Sequence, residues 1–440
     1  MNCALPSKLC IATFAGILAL TIANPVTAQM SPAMPGMDHS GQDIGSMNRE
    51  MPGTDHAMTG ALGPYAMNRE ASGTAWQPDT SEHSGIHIVS GQWMLMAHGM
   101  LNLVGDTQSG PRGDDKAFVS GMVMGMARRE FANGDALQFR AMLSPDPLMG
   151  KRGYPLLLGS GETADGATQL VDRQHPHDLF MELSASYSVK LFDHASVFVY
   201  GGLPGEPAFG PPAFMHRMSI MDSPEAPITH HWLDSTPITF GVVTAGVVIG
   251  GVKLEASRFR RREPDQHRYD IEAGALDSTA VRVSWNPGDA WSLQASFARQ
   301  ISPEQLEPGQ NQTKWSASAI HTVRIGDTGW WSTTAAWGRR RIEHREYDAF
   351  ALESAIKPDA RWTVFVRAEL TENPELLGAH GPAYTVGKAS VGAIRDFPVA
   401  SYLEFGIGAL ASYNFVPGPL DPVYGGDRAG GMMFMRFNVN

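Results

Sequence analysis

Three groups of side chains in this 440-residue sequence place soft or borderline donor atoms at regular spacings. The first is QWMLMAHGM, where Met94, Met96, His98 and Met100 recur at every second position, followed by Met122, Met124 and Met126 in FVSGMVMGMARR. Thioether sulfur and imidazole are the ligands that suit copper-type ions. The second group is His175-Pro176-His177-Asp178. Histidines two apart in an extended chain project to one side, and the carboxylate after them completes an N,N,O set for Cu(II) or Zn(II). A hydrogen-bonded Asp–His clamp at a loop–strand junction is the competing reading. The third is AFMHRMSIMD, in which Met215, Met218 and Met221 stand at helical spacing beside His216. Such a stripe equally serves as the buried side of a short helix. His230 and His231 follow in the same segment and bring further imidazoles within possible reach of His175 or His177. Near the N-terminus the pairing recurs as Met37-Asp38-His39 and His56-Ala57-Met58.

The N-terminus sets the compartment. One lysine, an apolar run and the small residues Val26-Thr27-Ala28 have the form of a secretory signal cleaved after residue 28, and the run is too short to span a bilayer comfortably. Both cysteines, Cys3 and Cys10, lie inside it, so the mature chain has neither disulfides nor thiolate ligands. A formal net charge of −11 argues against nucleic acid as a partner and favours cations. No later apolar run reaches the roughly 20 residues of a membrane helix. A mean hydropathy of −0.18 suits a soluble protein and a membrane barrel alike, because alternating residues cancel.

Periodicity separates these. Residues 29–87 hold Met, His, Gly, Pro, Asp and Ser without aliphatic spacing, which reads as a disordered periplasmic leader. Beyond residue 88 the pattern alternates. In LFMELSASYSV, Leu179, Met181, Leu183, Ala185, Tyr187 and Val189 oppose Glu182, Ser184, Ser186 and Ser188. WSLQASF and RWTVFVRAEL do the same, and period two marks strands with one apolar face. About sixteen such strands follow one another. Tight turns (FANGD, LFDH, IGG, NPGD, IGDTG, KPDA, RDFP) alternate with mostly longer connections, of which 146–178 and 202–235 are the longest. An even strand count with short turns on one side and long loops on the other predicts an all-β fold: a transmembrane antiparallel β-barrel of about 16 strands over 88–440. Trp285, Trp291, Trp330, Trp331, Trp337 and Trp362 suit aromatic girdles. A soluble sandwich would not sort its turns this way, and a propeller would show a blade repeat. The last strand ends in Asn440 where barrels usually carry an aromatic residue.

The barrel orients the methionines. Placing His98 and Asn102 in hydrocarbon would leave polar groups unpaired at a cost of several kcal/mol each. Trp93, Leu95, Leu101 and Leu103 therefore face lipid, while Met94, Met96, His98 and Met100 face the lumen. Met122, Met124, Met126, Gln138, Arg140 and Met142 follow inward on the next two strands. Two readings of this patch stay open: packing against something that fills the lumen, or thioether sites for Cu(I) or Ag(I). Inward charges of both signs (Glu182, Lys253, Glu255, Arg282, Arg367, Glu369, Glu404, Arg436) either line water or pair across a plugged interior.

The segments PRGDDK, GYPLLLGSGETADG, LVDRQHPHDLFMELSASYS, GGLPGEPAFGPPAFMHR and SPEAPITHHWLDSTPITFGV resemble an uncharacterised family of bacterial outer-membrane β-barrel proteins, from about Ala71 onward. The Met/His leader is similar to that of the copper-resistance protein B family, which implies a copper-handling role. The expectation is thus a non-enzymatic outer-membrane barrel that binds or conducts copper-type ions and contributes to copper tolerance. Copper is the one cofactor these residues suggest. Outer-membrane lipid, copper ions and periplasmic metal-handling proteins are the expected partners. A general small-solute channel is the alternative. A lipid hydrolase is third, since no G-x-S-x-G elbow is present.

Overall fold

The computed structural model describes residues 59–82, 85–234, 239–262, 265–378 and 381–439. The signal segment and the leader pair Met37 and His39 lie outside them. Among the described residues, strands β1 (Ile86–Ser90), β2 (Trp93–Gln108), β3 (Asp115–Glu130), β4 (Ala136–Leu143), β5 (Tyr154–Thr163), β6 (Gln169–Gln174), β7 (Phe180–Phe192), β8 (Ala195–Gly202), β9 (Thr239–Ile249) and β10 (Val252–Arg261) form the first half. The second half is β11 (Ser278–Gly288), β12 (Trp291–Gln300), β13 (Gln312–Ile325), β14 (Gly329–Ile342), β15 (Arg345–Lys357), β16 (Trp362–Asn373), β17 (Tyr384–Ala400), β18 (Leu403–Phe415) and β19 (Arg428–Val439). Sixteen of these, all but β1, β5 and β6, pair antiparallel with their neighbours and close where β19 meets β2, with Val439 opposite Gly99 and Gly430 opposite Gln108. Closure leaves no open edge, the condition for a sheet in lipid. No described helix is long and apolar enough to cross a membrane.

Alternation decides which way each side chain points. Leu95, Val123, Phe139, Val243, Leu254, Val366 and Ile407 are exposed on the outer wall, while their neighbours in sequence are buried inside. Seven connections at one end run from two to five residues; the other end carries 144–179 and 203–238, with one tight exception at Glu343-His344.

The interior is filled. Residues 59–82, expected to be disordered, fold inside the wall at the short-turn end. Ala61, Leu62, Tyr65, Met67, Ala75 and Trp76 are buried there. Their backbone is claimed by wall side chains: Ser188 and Ser196 donate to the Ala61 and Leu62 carbonyls, and Asn286 to that of Gln77. The segment also braces itself, with Glu70 accepting from the Ala61 N–H and the Tyr65 hydroxyl and Arg69 paired with Asp79, but composition alone does not reveal this, because its apolar side chains are buried against the wall. The long connection 144–179 folds inward from the opposite end as the hairpin β5–β6. Leu156, Leu157 and Leu158 bulge out of its ladder into an apolar core shared with Phe118, Ile220, Ile228, Trp330 and Phe434. Each such side chain contributes about 1.5–3 kcal/mol by leaving water. The inward charges pair across this plug. Arg217 is held by Glu353 at 2.8 Å and Asp234 at 3.0 Å, Arg367 by Glu225 and Glu369, and Arg282 by Glu255.

Three local expectations change. RDFP is not a turn: β17 runs on to Ala400, and Pro398 lies beyond the end of β16, where it pairs only with β18. Trp330 is 1% exposed and points inward, donating to Glu82, because adjacent Trp330 and Trp331 must face opposite sides. Met181 packs with the lumen methionines instead of facing lipid, since the ladder steps from Met142–Glu182 to Leu143–Phe180 and leaves it in a bulge.

Candidate metal-binding sites in the lumen

The wall methionines come together as the strand pattern requires. Antiparallel register sets Met96 opposite Met126, His98 opposite Met124 and Met100 opposite Met122, and Met124 opposite Met142 on β4. Met96, Met122, Met124, Met126 and Met142 form one buried cluster, with Met94, Met181 and Met215 packed against it. In front of it lies a cavity of about 130 Å³, closed on one side by Glu70, Ser72 and Gln77 of the N-terminal segment and on the other by Met215, His216, Met218 and Met221 of the 203–238 connection. Met215 and His216 sit on a single 3-10 turn, Phe214–His216, so the longer helix suggested by their spacing is absent. The His98 and His216 rings approach edge to face, 6.4 Å between centroids.

Polar groups around the cavity are mostly engaged. Arg140 pairs with Glu182 at 3.2 Å and donates to the Ala71 carbonyl. Arg436 donates to Asn102 at 2.9 Å and pairs with Asp222. The Met218 sulfur accepts from the Glu82 backbone N–H at 3.1 Å. Sulfur and imidazole face the space beside these pairs. Met96, His98, Met100, Met122, Met124, Met126, Met215 and His216 line it together, with Met94 packed behind them.

The second group divides. His177 does not join His175. Its Nδ1 is 2.8 Å from the Asp146 carboxylate, so the clamp reading of this histidine holds, and that carboxylate raises the imidazole's pKa against the burial that lowers it. Asp178 pairs with Arg268 at 3.5 Å; burial outweighs that cation and pushes its carboxyl up to about 7. With His177 held by Asp146 and Asp178 by Arg268, the group of donors that comes within reach of one ion does not include them.

His175 instead meets His230 and His231, which open the short helix α1 (His230–Leu233) of the other plug connection. The donor nitrogens of all three lie within 4.8 Å of one another. His175 Nδ1 is 2.9 Å from the Glu162 carboxylate, and His230 Nδ1 is 2.8 Å from the Pro227 carbonyl. Burial holds His230 and His231 well below the usual imidazole range, so both are neutral near pH 7. The helix is pinned to the wall: Thr229 donates to Glu369, Trp232 to the Tyr347 carbonyl, and Lys314 to the His231 carbonyl. No sequence spacing identifies this trio, because His175 and His230 are 55 residues apart and belong to different plug segments.

No family model matches the chain, and no curated protein matches it. Neither family likeness read from the sequence gains support from those comparisons. Solved structures do match. The Salmonella typhi OmpF complex with daunomycin aligns with a TM-score of 0.50 at 11% identity, covering 80% of this chain and 100% of that one. Pseudomonas putida OprB at high pH gives 0.49 at 11% identity over 79% and 94%. Vibrio cholerae OmpT gives 0.47 at 10% over 80% and 100%. The likeness to OmpF is one of fold: a closed bacterial outer-membrane barrel.

Proposed function

We propose that this chain is a porin-class outer-membrane barrel whose lumen binds soft monovalent ions of the Cu(I) and Ag(I) type, and that it contributes to copper tolerance. The barrel class is supported by the closed sixteen-strand wall, its exposed apolar outer face and the OmpF-like fold. The ion class rests on one observation, the cavity walled by methionines and flanked by His98 and His216. Neutral thioethers bind soft ions well and hard, hydrated cations poorly. Filling space is what methionine otherwise does in a core, and substitution separates the two roles.

Replacing Met94, Met96, Met122 and Met124 together by Leu conserves volume, which ordinarily costs under about 1.5 kcal/mol per site. Titration of the purified full chain with Ag+ is expected to show saturable binding that this variant loses while its barrel still resists heat in detergent. Equal Ag+ binding by both proteins, or unchanged copper tolerance on deletion of the gene, would sink the reading.

The second reading, a small-solute channel, is supported by the same fold likeness. Passage then requires the plug segments to move. Conductance in a planar bilayer that ignores copper and Ag+ favours it.

A further inference from the structure

We infer that His175, His230 and His231 form a second, chemically distinct metal site, a tri-imidazole centre for a divalent ion of the Zn2+ class, which fastens the two inward-folded connections together. It is independent of the methionine cavity: its donors are nitrogen instead of sulfur, and its residues belong to the plug and not to the wall.

Proton positions carry the first part of the argument. The Glu162 carboxylate and the Pro227 carbonyl are acceptors, so the Nδ1 atoms facing them hold protons in His175 and His230. That turns the Nε2 atom of each ring toward the other, 3.4 Å apart, a separation that a shared proton or a cation between them fills. The spacing also fits: with Zn–N near 2.0–2.1 Å, the edge of a tetrahedral site is about 3.3–3.4 Å. Metal-bound histidines nearly always donate their other N–H to a carboxylate or a backbone carbonyl, and here one does each. The His231 ring lies tilted by 40° against that of His230, with 4.0 Å between centroids, and supplies the third nitrogen. The Gln174 amide nitrogen stands 3.3 Å from His175 Nε2; turned by half a rotation, the amide presents its oxygen at the fourth corner.

The backbone of the hairpin carries the second part. Glu162 has φ +60°, left-handed for a residue with a side chain, and so do Leu158 and Asp172. Such conformations are costly for residues that carry a side chain and persist where the surroundings require them. At Glu162 that conformation delivers the carboxylate to His175. Beside it, Gly161 has φ +118°, and a Cβ there would stand 2.7 Å from the His231 Nε2. Strain and a missing side chain thus flank the same three rings. Arg268 pairs with Glu162 and Asp178, at 3.3 and 3.5 Å, while Lys314, Arg340 and Arg261 act on His231 from the other side, so the Glu162 carboxylate is the group that favours positive charge at the trio.

Both connections are buried at this point, so the ion enters as the plug folds, and its binding free energy adds to that of docking the hairpin on α1. The expected role is structural: one ion joins residues 144–179 to residues 203–238.

The test uses the full chain in detergent, stripped of metal during refolding and titrated with Co2+, whose tetrahedral complexes absorb strongly in the visible. One equivalent of Co2+ is expected to develop that absorption, and Zn2+ to displace it. His230→Gln is expected to remove it, and Glu162→Gln to keep it with affinity lowered roughly 10–100-fold. The Met94, Met96, Met122 and Met124 to Leu variant is expected to retain it in full. No tetrahedral absorption in the native sequence overturns the inference whatever the variants do. So does an undiminished signal in His230→Gln, or loss of the signal in the methionine variant.

Discussion

The methionine cavity and the histidine trio lie in the same lumen yet are built on opposite terms. Most of the cavity's sulfurs hang from β2 and β3, where a ladder of backbone hydrogen bonds fixes every second side chain inward, and Met215, Met218 and Met221 join them from the 203–238 connection. The histidines sit on plug connections that meet only through folding, held by a bulged hairpin and a four-residue helix. A wall site is rigid and pre-formed, whereas a plug site exists only while two separate segments stay docked. Perturbing the plug therefore ought to affect the two sites unequally.

The largest effect is expected from removing residues 59–82. That segment closes one side of the methionine cavity, so its deletion is expected to open a conducting path in bilayers and abolish saturable Ag+ binding, with the Co2+ signal of the histidines retained. Equal loss of both signals would show that the two sites are one cooperative unit. Next comes Arg217→Met. It strands Glu353 and Asp234, at side-chain exposures of 1% and 7%, without their cation. Breaking a buried pair from one side costs about 3–5 kcal/mol. Urea unfolding is expected to register that loss, and Co2+ affinity to fall more than Ag+ affinity.

The smallest effect is expected at the hairpin tip. Asp165 accepts hydrogen bonds from the Ala167 and Thr168 backbone N–H groups, which hold its carboxyl well below the usual range. A depressed folded-state pKa contributes stability above the unfolded value, near 3.9, and loses it as pH falls through the folded one. Asp165→Asn is expected to raise protease nicking between β5 and β6 slightly at neutral pH, and to remove the increase in nicking that the native hairpin shows in strong acid.

The same contrast explains what the sequence revealed. All sixteen wall strands were legible, since a residue's face follows from counting by two, and Met96, Met122, Met124 and Met126 were oriented by that count alone. Met181 was not, because a bulge resets the count and nothing local announces it. The histidine trio was half visible: His230 and His231 were named as imidazoles that could reach His175 or His177, but the donor set written down was His175, His177 and Asp178, and only the fold selects His175 as the residue they meet. Folding of residues 59–82 was invisible, as the enclosing wall comes from distant strands and the internal contacts of Glu70 and Arg69–Asp79 show no periodicity.

The seam of the barrel has a consequence for assembly. β19 covers β2 only from Gly99 to Gln108, and β1 covers the same edge from Trp93 to Ala97. The chain thus reaches its first wall strand directly from the lumen segment, through a strand that shares the closing edge. If the N-terminal segment is laid down before the later strands wrap around it, pairing of β19 with β2 is the step that encloses it. A fusion that holds residues 59–82 rigidly away from the wall would then delay closure itself, with the lumen's contents acting as the template on which the barrel is completed.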